Sequence, residues 1–261
     1  MLIAQFSLPA TLLAVTLLKS AVVVTLIFLV AVFSALSPSF ATVDNFANVM
    51  RQVSITAIIA TGLTFVILTA EIDLSVAALA NVAGIAVAFF TLQESYVNIA
   101  NLPLPGPLAI LLALLVSFAL GAVTAFGVTV IGIPSFIMTL AMLQIGAGIC
   151  AMLVRGQIAY AVPDAVKLLG SGNLGPFPAV VVVAALFLLV GHLVLTYTRF
   201  GRYVYMVGGN REAAEYSGVN VKFIIGSVMV ICAGFSLREV WRRSGVSPAA
   251  PGSVPEVTSV V

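Results

Sequence analysis

The stretch PLAILLALLVSFALGAVTAFGVTV, residues 107–130, contains no charged side chain and consists mainly of leucine, alanine, valine and phenylalanine. As a helix it would be about 36 Å long, because each residue adds about 1.5 Å. The hydrocarbon core of a bilayer is about 30 Å thick. This stretch therefore predicts a helix that crosses a membrane.

The rest of the chain shares this composition. Its 261 residues are 62% hydrophobic and 8% charged, with a mean hydropathy of +1.22, whereas soluble domains carry about 25% charged residues. Seven apolar runs recur, at residues 20–36, 53–70, 74–92, 107–130, 136–154, 179–197 and 223–237. We therefore predict an all-α, polytopic transmembrane helical bundle of about seven spans, the last of which is the shortest.

Residues 1–18 have an alternative interpretation as a secretory signal peptide. They lack a basic start, and no clear cleavage site precedes the first long run, although both features are typical of signal peptides. We therefore expect this segment to belong to the membrane protein itself.

Charges and reactive residues exclude several classes of function. The net charge of +2 comes from positive residues spread along the loops, unlike the basic face of a nucleic-acid-binding protein. The sequence has no G-x-x-x-x-G-K-[ST], G-x-S-x-G or H-E-x-x-H motif. His192, the single histidine, has no Cys, Asp or Glu at metal-ligand spacing. We therefore expect no enzyme, no metal site, no cofactor and no nucleic-acid partner.

The distribution of lysine and arginine predicts the orientation in the membrane. With seven alternating spans, the loop 199–222 lies on the same side as the N-terminus and the short connections 71–73 and 131–135. Five basic residues fall on that side, Lys19, Arg199, Arg202, Arg211 and Lys222, against Arg51, Arg155 and Lys167 on the other. Because Lys and Arg accumulate in cytoplasmic loops, the loop 199–222 is predicted to be cytoplasmic.

The stretch TAEIDLSVAAL, residues 69–79, places two acids between apolar runs. Intramembrane acids are costly to bury, so Glu71 and Asp73 are candidates for a functional role. Alternatively, Asp73 or Ser75 is a structural cap whose oxygen accepts a free N–H in the first turn of the third helix. A proton relay is not expected, because no further acid and no Lys or Arg lies in an apolar run.

The stretch VIGIPSFIMTLAML, residues 130–143, interrupts the apolar pattern with Gly132 and Pro134. The pair favours a sharp turn followed by a helix start, because proline is tolerated in a first helical turn. A break inside a span, near a substrate path, is the alternative.

The stretch GGNREAAEYSGVNV, residues 208–221, gathers charged and small residues in an otherwise apolar chain. Asn210 is typical of an N-cap, and Glu212 favours the positive end of a helix. The pattern predicts a short helix over residues 211–217 that ends at Gly218. Its small side chains, Ala213 and Ala214, would let the surface of a partner come close. A solvated connector is the alternative.

Three stretches resemble a known family. They are DNFANVMRQVSITAIIATGLTFVILTAEIDLSV at residues 44–76, IGIPSFIMTLAML at 131–143 and TRFGRYVYMVGGNREAAEYSGVNV at 198–221. Over residues 20–235 the chain resembles the membrane-spanning permease subunits of bacterial ATP-binding-cassette (ABC) importers for monosaccharides such as ribose, xylose and galactose. The resemblance implies the type II ABC importer permease fold, in an incomplete version, and a place in the bacterial inner membrane.

The resemblance also implies partners for this chain. These are a cytoplasmic ATP-binding subunit, which would hydrolyse ATP, a second permease copy and a periplasmic sugar-binding protein, with membrane lipid around the bundle. In the family, the loop that resembles residues 208–221 forms a coupling helix that docks on the ATPase. The loop residues concerned are Gly209, Asn210, Glu212, Ala213, Ala214, Ser217 and Gly218.

A monosaccharide would cross between the two permease copies, in contact with polar side chains of the spans. We predict Asn48, Gln52 and Thr139 for this path. In the acid-bearing stretch, Glu71 and Ala77 stand where glycine is usual in the family.

The chain ends on a polar, proline-containing segment, REVWRRSGVSPAAPGSVPEVTSVV, residues 238–261. This composition is typical of disorder. We predict an incomplete permease domain over residues 1–237 and a disordered tail over 238–261, as a frameshift or premature stop would produce. The alternatives are a non-functional truncated fragment and an ion-coupled secondary transporter. The latter needs inverted repeats and buried ionisable partners, and the sequence contains neither.

Overall fold

The computed structural model describes residues 8–91, 104–154, 173–174 and 177–235. The predicted tail, residues 238–261, lies outside the described residues. The chain divides into two compact units, Met1–Val49 and Met50–Val261.

The first unit contains helix α1 (Leu8–Leu36) and the start of α2 (Val43–Leu68). A polar turn joins the two helices, in which the Thr42 hydroxyl donates to the carbonyl oxygen of Ser39 at 2.8 Å and accepts the N–H of Asn45 at 3.3 Å. The rings of Phe33 and Phe40 stack across this turn, 5.6 Å apart. Thr42 thus satisfies one of the free N–H groups at the start of α2.

The second unit contains the rest of α2 and seven further helices among its described residues. These are α3 (Val76–Thr91), α4 (Gly106–Phe126), α5 (Ser135–Val154), α6 (Ala179–Tyr197), α7 (Arg199–Gly209), α8 (Arg211–Tyr216) and α9 (Val221–Gly234). Two very short strands, β1 (Asn173–Leu174) and β2 (Phe177–Pro178), pair antiparallel before α6, with Leu174 opposite Phe177.

The described residues of all seven predicted apolar runs lie on helices or directly at their ends, which confirms the all-α prediction. Four helices among the described residues are long and apolar enough to cross a membrane: Val43–Leu68, Gly106–Ile131, Ser135–Leu153 and Ala179–Tyr197. Three apolar helical segments are shorter: Ala21–Leu36, Val76–Val87 and Val221–Gly234. The chain is therefore polytopic, and the count of seven spans stays a prediction.

The core of the second unit is built around α4 and α9. Helix α4 packs against both α3 and α9, and α5 packs against α3. A Cβ atom on Gly121 of α4 would overlap with the Cβ of Ala233 on α9, so the two backbones approach each other closely. Small residues permit such contacts in a bilayer, where helices gain no hydrophobic drive for association.

The turn predicted around Pro134 is present. Helix α4 continues into a π-helical turn, Gly127–Ile131, and Gly132 follows with a left-handed φ of 85°. Helix α5 then begins at Ser135, and the carbonyl oxygen of Pro134 accepts the N–H of Met138. The glycine and proline therefore separate two helices, and no helix is broken at this point.

Many large apolar side chains lie on the outer surface of the bundle. Phe126, Leu115 and Leu186 are more than half exposed. Such a surface is unfavourable in water but suits hydrocarbon, which is as apolar as leucine. The exposed side chains thus agree with the membrane location predicted from composition.

Candidate coupling site and the adjoining loop

The segment between α6 and α9 consists of short helices that begin at polar caps. In each cap a side-chain oxygen accepts the backbone N–H three residues later, at 2.9–3.1 Å. The caps are Thr198, Asn210 and Asn220. Because the first N–H groups of a helix have no partner within it, these caps fix where α7, α8 and α9 start.

The end of α8 is fixed by a Schellman motif. Gly218 has a φ of 82°, its N–H donates to the carbonyl oxygen of Glu215, and the N–H of Val219 donates to that of Ala214. Glycine is the usual residue here because it adopts a left-handed conformation without steric cost. The helix runs from Arg211 to Tyr216, so it ends one residue earlier than predicted.

Helix α7 is packed directly against the end of α2. A Cβ atom on Gly208 would overlap with the backbone carbonyl oxygen of Leu68. Val204 and Val207 of α7 are buried in the same apolar cluster as Phe65 of α2. The chain therefore enters α8 from a fixed point on the bundle.

The structure separates the two alanines of α8. Ala214 is 1% exposed and belongs to the apolar core of this chain, whereas Ala213 is exposed. The expectation that both alanines face a partner therefore needs correction, since Ala214 packs against its own bundle. Only Ala213 is free to contact another protein.

One side of α8 forms an exposed surface, which we call the docking face. It consists of Glu212, Ala213, Tyr216 and Ser217, all exposed. Residues three and four apart are neighbours on a helix, so these four side chains are contiguous. The side chain of Tyr216 is 91% exposed. Tyrosine is enriched in protein interfaces and among the residues that contribute most to binding.

The connection between α2 and α3 begins with a second Schellman motif. The N–H of Ala70 donates to the carbonyl oxygen of Ile67, and the N–H of Glu71 donates to that of Val66. Ala70 has a φ of 61°, a left-handed conformation that costs a non-glycine residue roughly 1–2 kcal/mol. The backbone thus places Glu71 in a defined position at the end of α2.

Asp73 is a buried carboxylate just before α3. It is 7% exposed, and its Oδ1 accepts the N–H of Ser75 at 2.8 Å and the Ser75 hydroxyl at 2.6 Å. Asp73 thus binds Ser75 in an Asx-type turn immediately before α3 and not, as the sequence predicted, an N–H of the first helical turn. We propose that Asp73 and Ser75 have a structural role in this turn.

Substitutions of Asp73 test this role. Asp73→Ala removes the acceptor from two buried donors and is expected to lower the free energy of unfolding by about 1–3 kcal/mol. Asp73→Asn keeps one acceptor oxygen and should cost about 1 kcal/mol or less, since it loses only the charge on a hydrogen bond. Denaturant unfolding of the purified protein measures both effects. An asparagine variant as unstable as the alanine variant would contradict a role limited to these hydrogen bonds and favour a role for the charge.

Three connections predicted to share one side of the membrane meet in the structure. The Arg211 guanidinium of α8 donates to Glu71 Oε1 at 2.9 Å. The N–H of Ile72 donates to the Ser135 hydroxyl, at the start of α5, at 3.3 Å. The connections α2–α3 and α4–α5 therefore lie at the same end of the bundle as α8. That this end is cytoplasmic stays a prediction from the charges.

The structure does not bring together two of the predicted sugar-path residues, Gln52 and Thr139. Asn48 and Gln52 are exposed on α2. Thr139 is fully buried on α5, where its hydroxyl lies 2.8 Å from the carbonyl oxygen of Ser135 and 3.4 Å from that of Ile72. Ile72 lies beyond the end of α2, whereas Gln52 lies 16 residues before that end, about 24 Å along the helix. Thr139 thus supports the loop and does not face a path shared with Gln52.

A groove of about 790 Å³ runs along the outside of α4 and α9. Its polar side chains are Thr129, Asn220, Lys222 and Ser227, and the remaining lining is apolar. A sugar is surrounded by hydroxyl groups that need hydrogen-bond partners, and most of this lining offers none. We therefore assign no sugar contact to the groove.

Comparison with known proteins identifies the family. The family described as "Branched-chain amino acid transport system / permease component" matches residues 45–236. The chain belongs to this family. No solved structure matches it significantly.

Several proteins that are similar to this chain are named as sugar permeases. The chain is 33% identical over 235 residues to the ribose import permease protein RbsC of Escherichia coli (strain K12), covering 87% of this chain and 70% of the relative. It is 34% identical to the D-allose transport system permease protein AlsC of the same organism, over 81% and 64% of the two chains. The xylose transport system permease protein XylH is 28% identical, over 83% and 69%.

Family membership and the apolar helices together settle the general character of the chain. It is a multi-pass inner-membrane protein and a permease component of a transport system. The matched residues include the docking face and the α2–α3 connection, so both features lie inside the family domain.

Proposed function

We propose that this chain is the membrane-spanning permease subunit of an ABC importer that moves a monosaccharide across the inner membrane. It would work with a second copy of itself, a cytoplasmic ATP-binding subunit and a periplasmic sugar-binding protein. ATP hydrolysis would take place on the ATP-binding subunit.

The substrate class is supported by the relatives. The permeases that match this chain over most of its length are named for ribose, D-allose and xylose. These three sugars are all monosaccharides, with five or six carbons. A monosaccharide is therefore the common chemistry of the three substrates.

The observation that carries the coupling to ATP hydrolysis is the docking face on α8. The helix is capped at Asn210, ended at Gly218 and buried through Ala214. Tyr216 and Ala213 face outward. A rigid helix with an exposed face would transmit a movement of the ATP-binding subunit to the bundle. Such a movement would shift the equilibrium between the outward-open and inward-open states.

The geometry leaves two of the three predicted residues as candidates for sugar contact. Gln52 and Asn48 carry exposed amides on α2, and each amide both donates and accepts hydrogen bonds. Each of the two residues is therefore still proposed to contact the sugar, without the assumption that both line one path. Thr139 is not proposed, because its hydroxyl is buried and bonded within the chain.

Reconstitution tests the proposed function. The chain is assembled in liposomes with its ATP-binding subunit and sugar-binding protein, and ATP hydrolysis is measured after addition of ribose, D-allose, xylose or, as a control, a branched-chain amino acid. We expect one or more of the sugars to stimulate hydrolysis and the amino acid to have no effect. Stimulation by the amino acid alone would show that the substrate is an amino acid and not a monosaccharide. No stimulation by any of the four would contradict import of ribose, D-allose or xylose by this chain.

A further inference from the structure

An ion pair joins the docking helix to a part of the chain far away in sequence. The Arg211 guanidinium lies 2.9 Å from Glu71 Oε1, and the two residues are 140 positions apart. Arg211 is the first residue of α8, and Glu71 is the last residue of the Schellman motif that ends α2. The contact therefore ties the start of α8 to the end of α2.

The two members of this pair differ in exposure. The Arg211 side chain is 57% exposed, whereas the Glu71 side chain is 11% exposed. A surface ion pair contributes little by itself. A carboxylate that is largely removed from water is costly without a partner, so Glu71 has more to gain from the contact than an exposed acid would.

The backbone around Glu71 supports a positioning role. Ala70 is held in a left-handed conformation, with a φ of 61°, although alanine disfavours it. This conformation turns the chain so that Glu71 can accept from α8. Conformations of this kind persist where the surrounding structure holds them, and they are concentrated at functional sites.

The same connection is bonded to α5 on its other side. The backbone N–H of Ile72 donates to Ser135 Oγ, and its carbonyl oxygen lies 3.4 Å from the Thr139 hydroxyl. Ser135 is the first residue of α5. A continuous set of polar contacts thus runs from α8 through residues 71 and 72 to the first turn of α5.

We propose that Glu71 and Arg211 are positioning residues that hold α8 against the α2–α3 connection. Through this contact, a displacement of α8 moves the α2–α3 connection, and with it the start of α5. The proposal rests on the proposed function only for its role in transport. The tie between α8 and the α2–α3 connection is a property of this chain alone.

Amide hydrogen exchange on the purified full chain tests the tie without any partner. We expect Glu71→Gln and Arg211→Gln each to increase exchange about fivefold in peptides covering residues 69–75 and 208–221, as the loss of a pair of this exposure predicts. The double variant should match the single variants, because the two substitutions remove the same contact. Arg211→Lys keeps the positive charge and should exchange as slowly as the parental chain. Glu215→Gln, which changes an exposed acid of the same helix, should have no effect.

The outcomes separate this inference from the proposed function. Unchanged exchange in both single variants, or effects that multiply in the double variant, would overturn the tie. Retention of the ATP-binding subunit by the parental chain is measured in parallel. If the exchange pattern is as expected but the subunit is not retained, the tie stands and the proposed function is wrong. If the subunit is retained but exchange is unchanged, the proposed function stands and the tie is wrong.

Discussion

An Ala213→Trp variant is expected to insert into the membrane at the parental level and to bind the ATP-binding subunit at least about tenfold more weakly, a loss of about 1.4 kcal/mol. Ala213 is exposed on the docking face, so a large side chain meets nothing within its own bundle. Within an interface the same side chain prevents close approach, and poor complementarity reduces affinity. Insertion is measured by fluorescence-detected size exclusion, and binding by retention of the subunit on the immobilised chain.

Two further tryptophan variants are the controls for this result. Ala141→Trp places the same side chain on the exposed surface of α5 and should leave binding unchanged. Ala214→Trp enlarges a residue that is 1% exposed and should destabilise the fold, since overpacking a core costs about 1–3 kcal/mol. Parental binding by the Ala213 variant would show that α8 is only a connector between α7 and α9.

Removal of the Tyr216 side chain is also expected to weaken binding of the ATP-binding subunit, in this case because a contact is lost and not because a bulky group is added. Tyr216 is 91% exposed, so Tyr216→Ala removes almost nothing from the packing of the free chain. Tyrosine at the centre of an interface contributes about 2 kcal/mol or more, which is about a thirtyfold change in affinity. The affinity of the detergent-purified chain for the ATP-binding subunit measures this change.

Tyr197 provides the matched control for Tyr216. It is 70% exposed but lies at the end of α6, outside α8. Tyr197→Ala should therefore bind the ATP-binding subunit like the parent. If Tyr216→Ala bound the ATP-binding subunit as tightly as Tyr197→Ala, Tyr216 would not be part of the interface.

Most of the helices could be predicted from the sequence because composition alone decides them. Only helices and closed barrels satisfy every backbone group in a bilayer, and a run such as 107–130 is too long and too uniformly apolar for a barrel strand. The start of α8 at Asn210 and its end near Gly218 were also predictable, because capping depends on residues adjacent in sequence.

Contacts between distant residues could not be predicted in the same way. The charges of Glu71 and Arg211 are visible in the sequence, but nothing in a single sequence pairs residues 140 positions apart. The burial of Ala214 and the exposure of Ala213 depend on how α8 is turned against the bundle. A helix of six residues has too few apolar positions for its pattern to fix that rotation.

Thr139 illustrates a different difficulty. A threonine in an apolar run suggests a polar contact for a substrate, but its hydroxyl can also bond to a carbonyl oxygen of the preceding turn. The structure has the second arrangement, with the Ser135 carbonyl oxygen 2.8 Å away. The sequence does not distinguish the two, because both use the same residue at the same position.

If the docking face on α8 contacts an ATP-binding subunit, a crosslinker attached to that face should reach the subunit. Ser217→Cys provides the attachment point, because Ser217 is exposed on that face and cysteine is close to serine in size. A short bifunctional reagent is added to the assembled complex, and the parental chain, which keeps Cys150 and Cys232, is the control. We expect an adduct between the Ser217→Cys chain and the ATP-binding subunit that the parental chain does not form. An adduct only with a second copy of the chain, or none in a complex that retains the subunit, would contradict it.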